Sequence, residues 1–306
     1  MAVVITGGSG FIGRVLVRAL ADRGKDVVIL DRRLPEISEV LRQRVKVVQG
    51  DIRDRDSVGE AISAGTEAVF HLAAVTSVLK SKENPDETFD VNLSATSILL
   101  ERARQAEVPT FVMASTNAVA GDVGDDKISE NTVPAPLTPY GATKAGAEML
   151  MSAYSSSFAM KCAAVRLTNV YGPGMKEKDS FVPRLMRAAM DGSSVTIYGD
   201  GEQVRDFVYV RDAVDGILLS ADLQLAGPLT IGSGISVSVL DLHKAVCRAA
   251  GTVIPIEHGD PKPGEMRAVR VDISRARSIG FSPQVDMERG LSLTWADMKS
   301  DGTLEH

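Results

Sequence analysis

The sequence predicts a doubly wound α/β domain on a parallel sheet, with a smaller domain interleaved toward the C-terminus. Three observations predict it. Short apolar runs alternate with helix-period segments through the first half, and a glycine-rich turn joins the first run to the first helix. After residue 161 the pattern loosens, with no linker-like tract and no internal repeat. A length of 306 residues suits about two domains. The division read here is 1–167, with part of 205–235 returning to it, and 168–300.

The elements follow in order. Runs at 2–6, 26–30, 45–49, 68–72 and 110–114 are rich in Val, Ile and Phe. Continuous apolar runs this short suit strands covered on both faces, as in a parallel sheet. Between the first two, 11–23 carries Ile12, Val15, Leu16, Ala19 and Leu20 on one helical stripe. Repeated strand–helix units of this length imply right-handed crossovers. The longest helical segments are 84–107 and 140–158. A further strand at 163–167 leads to the turn Tyr171-Gly-Pro-Gly174 and then to shorter, mixed elements.

Composition excludes several classes. The net charge of −6 argues against nucleic acid as the main ligand, because phosphate backbones require a basic face. No apolar run approaches the roughly 20 residues of a membrane helix, and the opening MAVVITGG lacks the basic region of a signal peptide. The four histidines stand far apart without ligand spacing, so no metal is expected. Cys162 and Cys247 make neither a CxxC pair nor a disulfide framework, which suits a reducing, cytoplasmic compartment. Leu304, Glu305 and His306 look like the stub of an expression tag and stay outside the fold argument.

The first strand runs directly into TGGSGFIG at 6–13. Gly7 permits a tight turn, Gly10 lets backbone approach a pyrophosphate, and Gly13 lets helix and strand pack closely. Phe11 and Ile12 open the helix, whose N-terminus presents unpaired N–H groups to phosphate. An acid, Asp31, follows at the distance of the dinucleotide fingerprint, about 20 residues on. Its carboxylate accepts from both ribose hydroxyls and repels a 2′-phosphate, which favours NAD. Arg32 and Arg33 beside it would suit that phosphate and keep NADP as the alternative.

Tyr140-Gly-Ala-Thr-Lys144 opens a helix, so its first and last residues share one face. A free tyrosine, with a pKa near 10, is a poor base at neutral pH. An ammonium one turn away, with the positive nicotinamide ring, favours the phenolate and makes Tyr140 a general base.

With these residues the sequence resembles the extended short-chain dehydrogenase/reductase family, in its NAD-dependent epimerase/dehydratase branch acting on nucleotide sugars. The resemblance covers nearly the whole chain. It includes TGGSGFIG at 6–13, GDIRD at 50–54, HLAA at 71–74, ASTNAVAG at 114–121, PYGATKAGAE at 139–148, RLTNVYGPG at 166–174 and GDGEQVRDFVYVRD at 199–212. PGE at 263–265 and VDISRA at 271–276 extend it further. It implies a Rossmann domain with Asp51 and Ile52 at the adenine and Leu72, Ala73 and Ala74 along the cofactor. It also implies that the Thr116 hydroxyl bonds the reacting sugar oxygen, that Asn169 offers its amide to the substrate, and that Arg205 and Lys262 face the diphosphate. Two helices, 84–107 and 140–158, would pair across a two-fold axis through Ile98, Leu99, Ala103, Ala147, Leu150, Met151 and Tyr154, making a homodimer.

Departures from the family are informative. Its dehydratases carry an Asp-Glu pair just after the catalytic threonine, where this sequence has Asn117 and Ala118. Ala120 stands where many members have tyrosine, and Lys262 where an arginine often grips the second phosphate. The expected activity is a nucleotide-sugar 4-epimerase of the UDP-hexose type, with NAD bound throughout. A dehydrogenase or ketoreductase of the same fold, acting on a 4-keto sugar or a small hydroxy acid, is the alternative within enzymes. A dinucleotide sensor without catalysis is the alternative outside them.

Overall fold

The computed structural model describes residues 2–35, 38–260 and 266–300. The chain divides into two units. Met1–Gly121, Thr132–Arg166 and Val214–Leu229 make the first, and Asp122–Asn131, Leu167–Ala213 and Thr230–His306 make the second.

The first unit is organised on a seven-stranded sheet of β1 (Ala2–Thr6), β2 (Asp26–Asp31), β3 (Val45–Gln49), β4 (Ala68–His71), β5 (Thr110–Thr116), β6 (Lys161–Leu167) and β7 (Gly227–Ile231). Their order is β7-β6-β5-β4-β1-β2-β3. The ladders from β3 through β2, β1 and β4 to β5 are all parallel, with Val4 opposite both Val28 and Val69. This is the doubly wound α/β (Rossmann) class that the alternation predicts. The strand order reverses beside β1, and ligands of such sheets bind at that switch, beyond the carboxyl ends of the strands. Val4, Leu30, Val69 and Phe111 form the floor of a core with almost no exposed surface. β5 runs two residues past the expected end, and this brings Ser115 and Thr116 into the strand.

The helix Phe11–Asp22 buries Phe11, Leu16, Val17, Ala19, Leu20 and Ala21. Ile12 and Val15, expected on the buried stripe, are only half-buried. Gly13 lets the helix start this close to the turn, since a Cβ there would collide with the Gly7 carbonyl oxygen. The segment expected as one helix at 84–107 is Pro85–Phe89, a π-turn at Asp90–Ser94, and Ala95–Gln105. Pro139–Ser157 begins with proline at its first turn and the Thr138 hydroxyl accepting from the Gly141 N–H at 3.2 Å.

The second unit carries a three-stranded sheet of Asn169–Tyr171, Val204–Tyr209 and Ser236–Ser238, parallel in the first pair and antiparallel in the second. Two short parallel pairs accompany it, with the helices Phe181–Asp191, Val239–Ala250 and Met287–Lys299. Residues 122–131 group with this unit, whereas the sequence reading keeps them in the first domain. The reason is a ladder and a bond: Lys127–Ile128 pairs with Arg270–Val271, and the Glu130 carboxylate accepts from the Thr230 N–H at 2.7 Å. No helix among the described residues is long and apolar enough to cross a membrane. Both cysteines are free, Cys162 buried and Cys247 half-buried.

Candidate active site

The carboxyl ends of β1 to β4 carry the predicted cofactor residues. Gly7 takes the left-handed conformation with φ of +76°, and a Cβ on it would sit 2.7 Å from the Ala73 backbone nitrogen. Only glycine fits that turn. The Gly10 N–H donates to the Gly7 carbonyl at 3.0 Å, and Gly10 precedes the helix with no side-chain cap. No acidic residue stands in the first turn, so the positive end of the helix dipole is left for an outside anion.

Asp31 ends β2. Its Oδ2 accepts from the Ser9 N–H and its Oδ1 from the Arg33 N–H, each at 3.0 Å. Each oxygen keeps acceptor capacity for a ribose hydroxyl. Arg32 and Arg33 are exposed beside it. Asp51 follows β3 and pairs with Arg53 at 2.7 Å, and that guanidinium holds its carboxyl below the usual range. Ile52 next to it is buried. After β4, the Leu72 and Ala73 N–H groups donate to the Thr6 carbonyl and the Thr6 hydroxyl, and Leu72, Ala73 and Ala74 are half-buried. An anion-ready helix end, a carboxylate with spare acceptors and a glycine cradle that side chains would fill together fit a dinucleotide.

The catalytic candidates also come together. The Thr116 hydroxyl favours the anion of the Tyr140 phenol, and its oxygen accepts from the Ala118 N–H at 3.1 Å. Lys144 has 1% of its surface exposed, and its Nζ donates to the Ala114 carbonyl at 3.0 Å. Burial brings its ammonium down to about 8, with the Glu148 carboxylate acting against that. One expectation is corrected. Burial pushes the Tyr140 phenol up from its ordinary value, and the Thr116 hydroxyl opposes that push. The ammonium donates to the Ala114 carbonyl and stands one turn along the helix from the phenol.

Sequence reasoning missed a buried polar chain behind these residues. Thr96 Oγ1 donates to the Asn92 carbonyl at 2.7 Å, so it accepts from His71 Nε2–H at 3.0 Å. His71 Nδ1 then accepts from the Thr6 hydroxyl at 2.7 Å. The Asn92 amide, set by the π-turn, bonds both Val75 backbone groups and the Thr143 hydroxyl. Thr6, His71, Asn92 and Thr96 are all fully buried. Glu148, one turn beyond Lys144, was also missed. Its place in the run of every fourth residue, Tyr140, Lys144, Glu148, was the signal available.

In the second unit, the Asn169 amide nitrogen donates to the Asp206 carbonyl at 2.9 Å, so its oxygen is the atom turned outward from that bond. Arg205 donates to the Val204 carbonyl at 2.8 Å. The Asp206 carboxylate, buried and raised in pKa by that burial, is held by Thr168 and Ser233. Lys262 lies outside the described residues, as does the 263–265 block. Of the seven proposed dimer residues, Leu99, Ala103, Ala147 and Met151 are buried in the chain's own core, and Ile98, Leu150 and Tyr154 are partly buried against it. Sheet packing claims the first four, which lie on the inward face of their helices.

Residues 3–230 match the model of the NAD dependent epimerase/dehydratase family. UDP-glucose 4-epimerase of Mycolicibacterium smegmatis is 33% identical over 96% of this chain and 97% of its own length. dTDP-glucose 4,6-dehydratase of Streptomyces griseus is also 33% identical, over 96% and 93%. The crystal structure of the Thermus thermophilus UDP-glucose 4-epimerase complexed with NAD superposes with a TM-score of 0.90 at 32% identity, covering 99% of this chain and 100% of that one. The chain belongs to the NAD dependent epimerase/dehydratase family of enzymes.

Proposed function

We propose that this enzyme is a nucleotide-sugar 4-epimerase of the UDP-hexose type, using NAD held throughout turnover. The observation that carries the reading is Tyr140, its phenolate favoured by Thr116, one turn from buried Lys144, with Asn117 and Ala118 following the threonine. Neither Asn117 nor Ala118 has an ionisable group, so the acid–base pair that eliminating water requires is missing, which weighs against a dehydratase.

Gly7, Gly10, Phe11, Ile12 and Gly13 hold the pyrophosphate, Asp31 the ribose, Asp51 and Ile52 the adenine, and Leu72, Ala73 and Ala74 the path between. When bound, NAD supplies a positive ring that accepts hydride from the sugar and gives it back. Tyr140 Oη takes the proton of the 4-hydroxyl and returns it to the 4-keto oxygen after the sugar has turned over. The Thr116 hydroxyl bonds the same reacting sugar oxygen, and Lys144 keeps a positive charge in the wall. Asn169, Arg205 and Lys262 hold the nucleotide end, Arg205 and Lys262 by charge-assisted hydrogen bonds to the diphosphate.

The reading also takes the enzyme to be a cytoplasmic homodimer. Free thiols at Cys162 and Cys247 suit a reducing compartment, and exposed Met149 with half-buried Ile98 and Leu150 supplies apolar surface for a two-fold partner. A monomer mass by light scattering at micromolar concentration rejects the dimer. The function is tested by incubating protein with UDP-, GDP- and dTDP-hexoses without added cofactor and reading C4 configuration by NMR. An epimer supports the proposal. Net cofactor reduction with no epimer decides for a dehydrogenase, and no reaction with any sugar, with bound NAD left oxidised, decides for the sensor.

A further inference from the structure

Three consecutive residues of β5 engage three residues on one face of Pro139–Ser157. The Ala114 carbonyl accepts from Lys144 Nζ at 3.0 Å, the Ser115 hydroxyl donates to Glu148 Oε1 at 2.5 Å, and the Thr116 hydroxyl favours the Tyr140 phenolate. Tyr140, Lys144 and Glu148 are successive fourth residues and stack on one side of the helix. Behind them stands Arg166 of β6. Its Nη2 donates to Glu148 Oε2 at 2.7 Å and its Nε to both carboxylate oxygens at 3.2 Å. The two side chains are 3% and 10% exposed. A forked pair of this kind fixes direction as well as distance. Its desolvation offsets much of its attraction, so its main contribution is geometry rather than net stability.

We propose that Ser115 and Glu148, backed by Arg166, are positioning residues that set the register of the catalytic helix on β5 and so hold Thr116 against Tyr140. The inference rests on the reading of Tyr140 as the proton-handling group. The Tyr140 and Lys144 contacts use groups at the ends of an aromatic ring and a flexible four-carbon stem. Glu148 is the member of the trio tied to two strands at once, β5 through Ser115 and β6 through Arg166. A helix that slides or rolls on β5 carries Tyr140 away from Thr116, the side chain that opposes the upward push of burial on the phenol. Loosened register therefore reads out as a phenolate that appears only at higher pH. The charged and titratable groups facing Glu148 are Arg166 and Cys162 on β6 and Lys144 on its own helix, and His71 on β4 faces Lys144.

The test uses Ser115→Ala in the NAD-loaded enzyme, because it leaves the Glu148–Arg166 pair whole. Tyr140 is titrated by its ultraviolet phenolate absorbance with Tyr140→Phe as the blank, and kcat and KM are measured for UDP-glucose. The expected result is a phenolate titration moved to higher pH and kcat down about tenfold or more with KM within about twofold, as small misplacements of reacting groups produce. Ser115→Thr, which keeps the hydroxyl, restores both. Glu148→Gln, if it folds, shows the same titration shift. An unchanged titration and kcat in Ser115→Ala overturns the proposal, as does a fall in melting temperature alone. If the wild type epimerises no nucleotide sugar, the titration still decides on positioning, while that failure falls on the functional reading.

Discussion

The Thr6 hydroxyl lies 2.7 Å from Nδ1 of His71, and neither residue has any exposed surface. The pair joins the strand that feeds the glycine turn to the strand that feeds the Leu72–Ala74 segment. Burial, and next the charge on Lys144, hold the ring's pKa well below its ordinary 6.5. The unfolded chain takes a proton near pH 6.5 that the folded chain refuses. Folding is thus fully favoured by this group above pH 6.5 and loses stability as pH falls below it, by at most about 1.4 kcal/mol per pH unit per proton. Melting temperature measured from pH 7.5 to 5 should fall for wild type. His71→Gln should melt lower at pH 7.5 but show a flatter acid limb. Parallel acid limbs for the two proteins contradict the prediction.

Tyr140→Phe keeps the ring and removes the acid–base oxygen. Turnover should drop by about 10²–10⁴-fold, the usual contribution of a positioned acid or base, with the fold and NAD content preserved. A variant that keeps a tenth or more of wild-type kcat excludes Tyr140 from the proton step.

Lys144 titrates at about 8, so the positive wall beside the phenol disappears above that pH. The wild-type kcat should decline on the alkaline side with a midpoint near 8. Lys144→Met should be slow at every pH and lack that limb. An alkaline limb that persists in Lys144→Met belongs to another group.

Asp31→Ala removes two interactions together, attraction for the ribose hydroxyls and repulsion of a 2′-phosphate. Exposed Arg32 and Arg33 remain to pair with the phosphate. Each change is worth about 1–3 kcal/mol, the range of charged hydrogen bonds, so cofactor preference should invert from NAD to NADP. Competitive binding to protein stripped of nucleotide measures it. Unchanged selectivity, or a wild type that already prefers NADP, removes Asp31 from the ribose.

Alternating apolar runs and helical stripes are local properties, and they sufficed for the parallel strands β1 to β5 to within two residues, for the glycine turn, and for the shared face of Tyr140 and Lys144. Asp31 was legible for the same reason, since a carboxylate at the end of the second strand must emerge near the first turn in any doubly wound sheet. What lies between segments was not legible. His71 reads as one more polar residue after an apolar run, and only folding brings Thr6 and Thr96 to its two nitrogens, 65 and 25 residues away in sequence. The π-turn at Asp90–Ser94 leaves no mark in a pattern that reads as one long helix, and the Val75 backbone groups that its Asn92 bonds lie 17 residues away in sequence. Arg166 and Glu148 look like ordinary charges until β6 and the helix meet. The raised phenol of Tyr140 has the same origin: charge spacing along a helix is written in the sequence, whereas desolvation depends on what the rest of the chain packs around it.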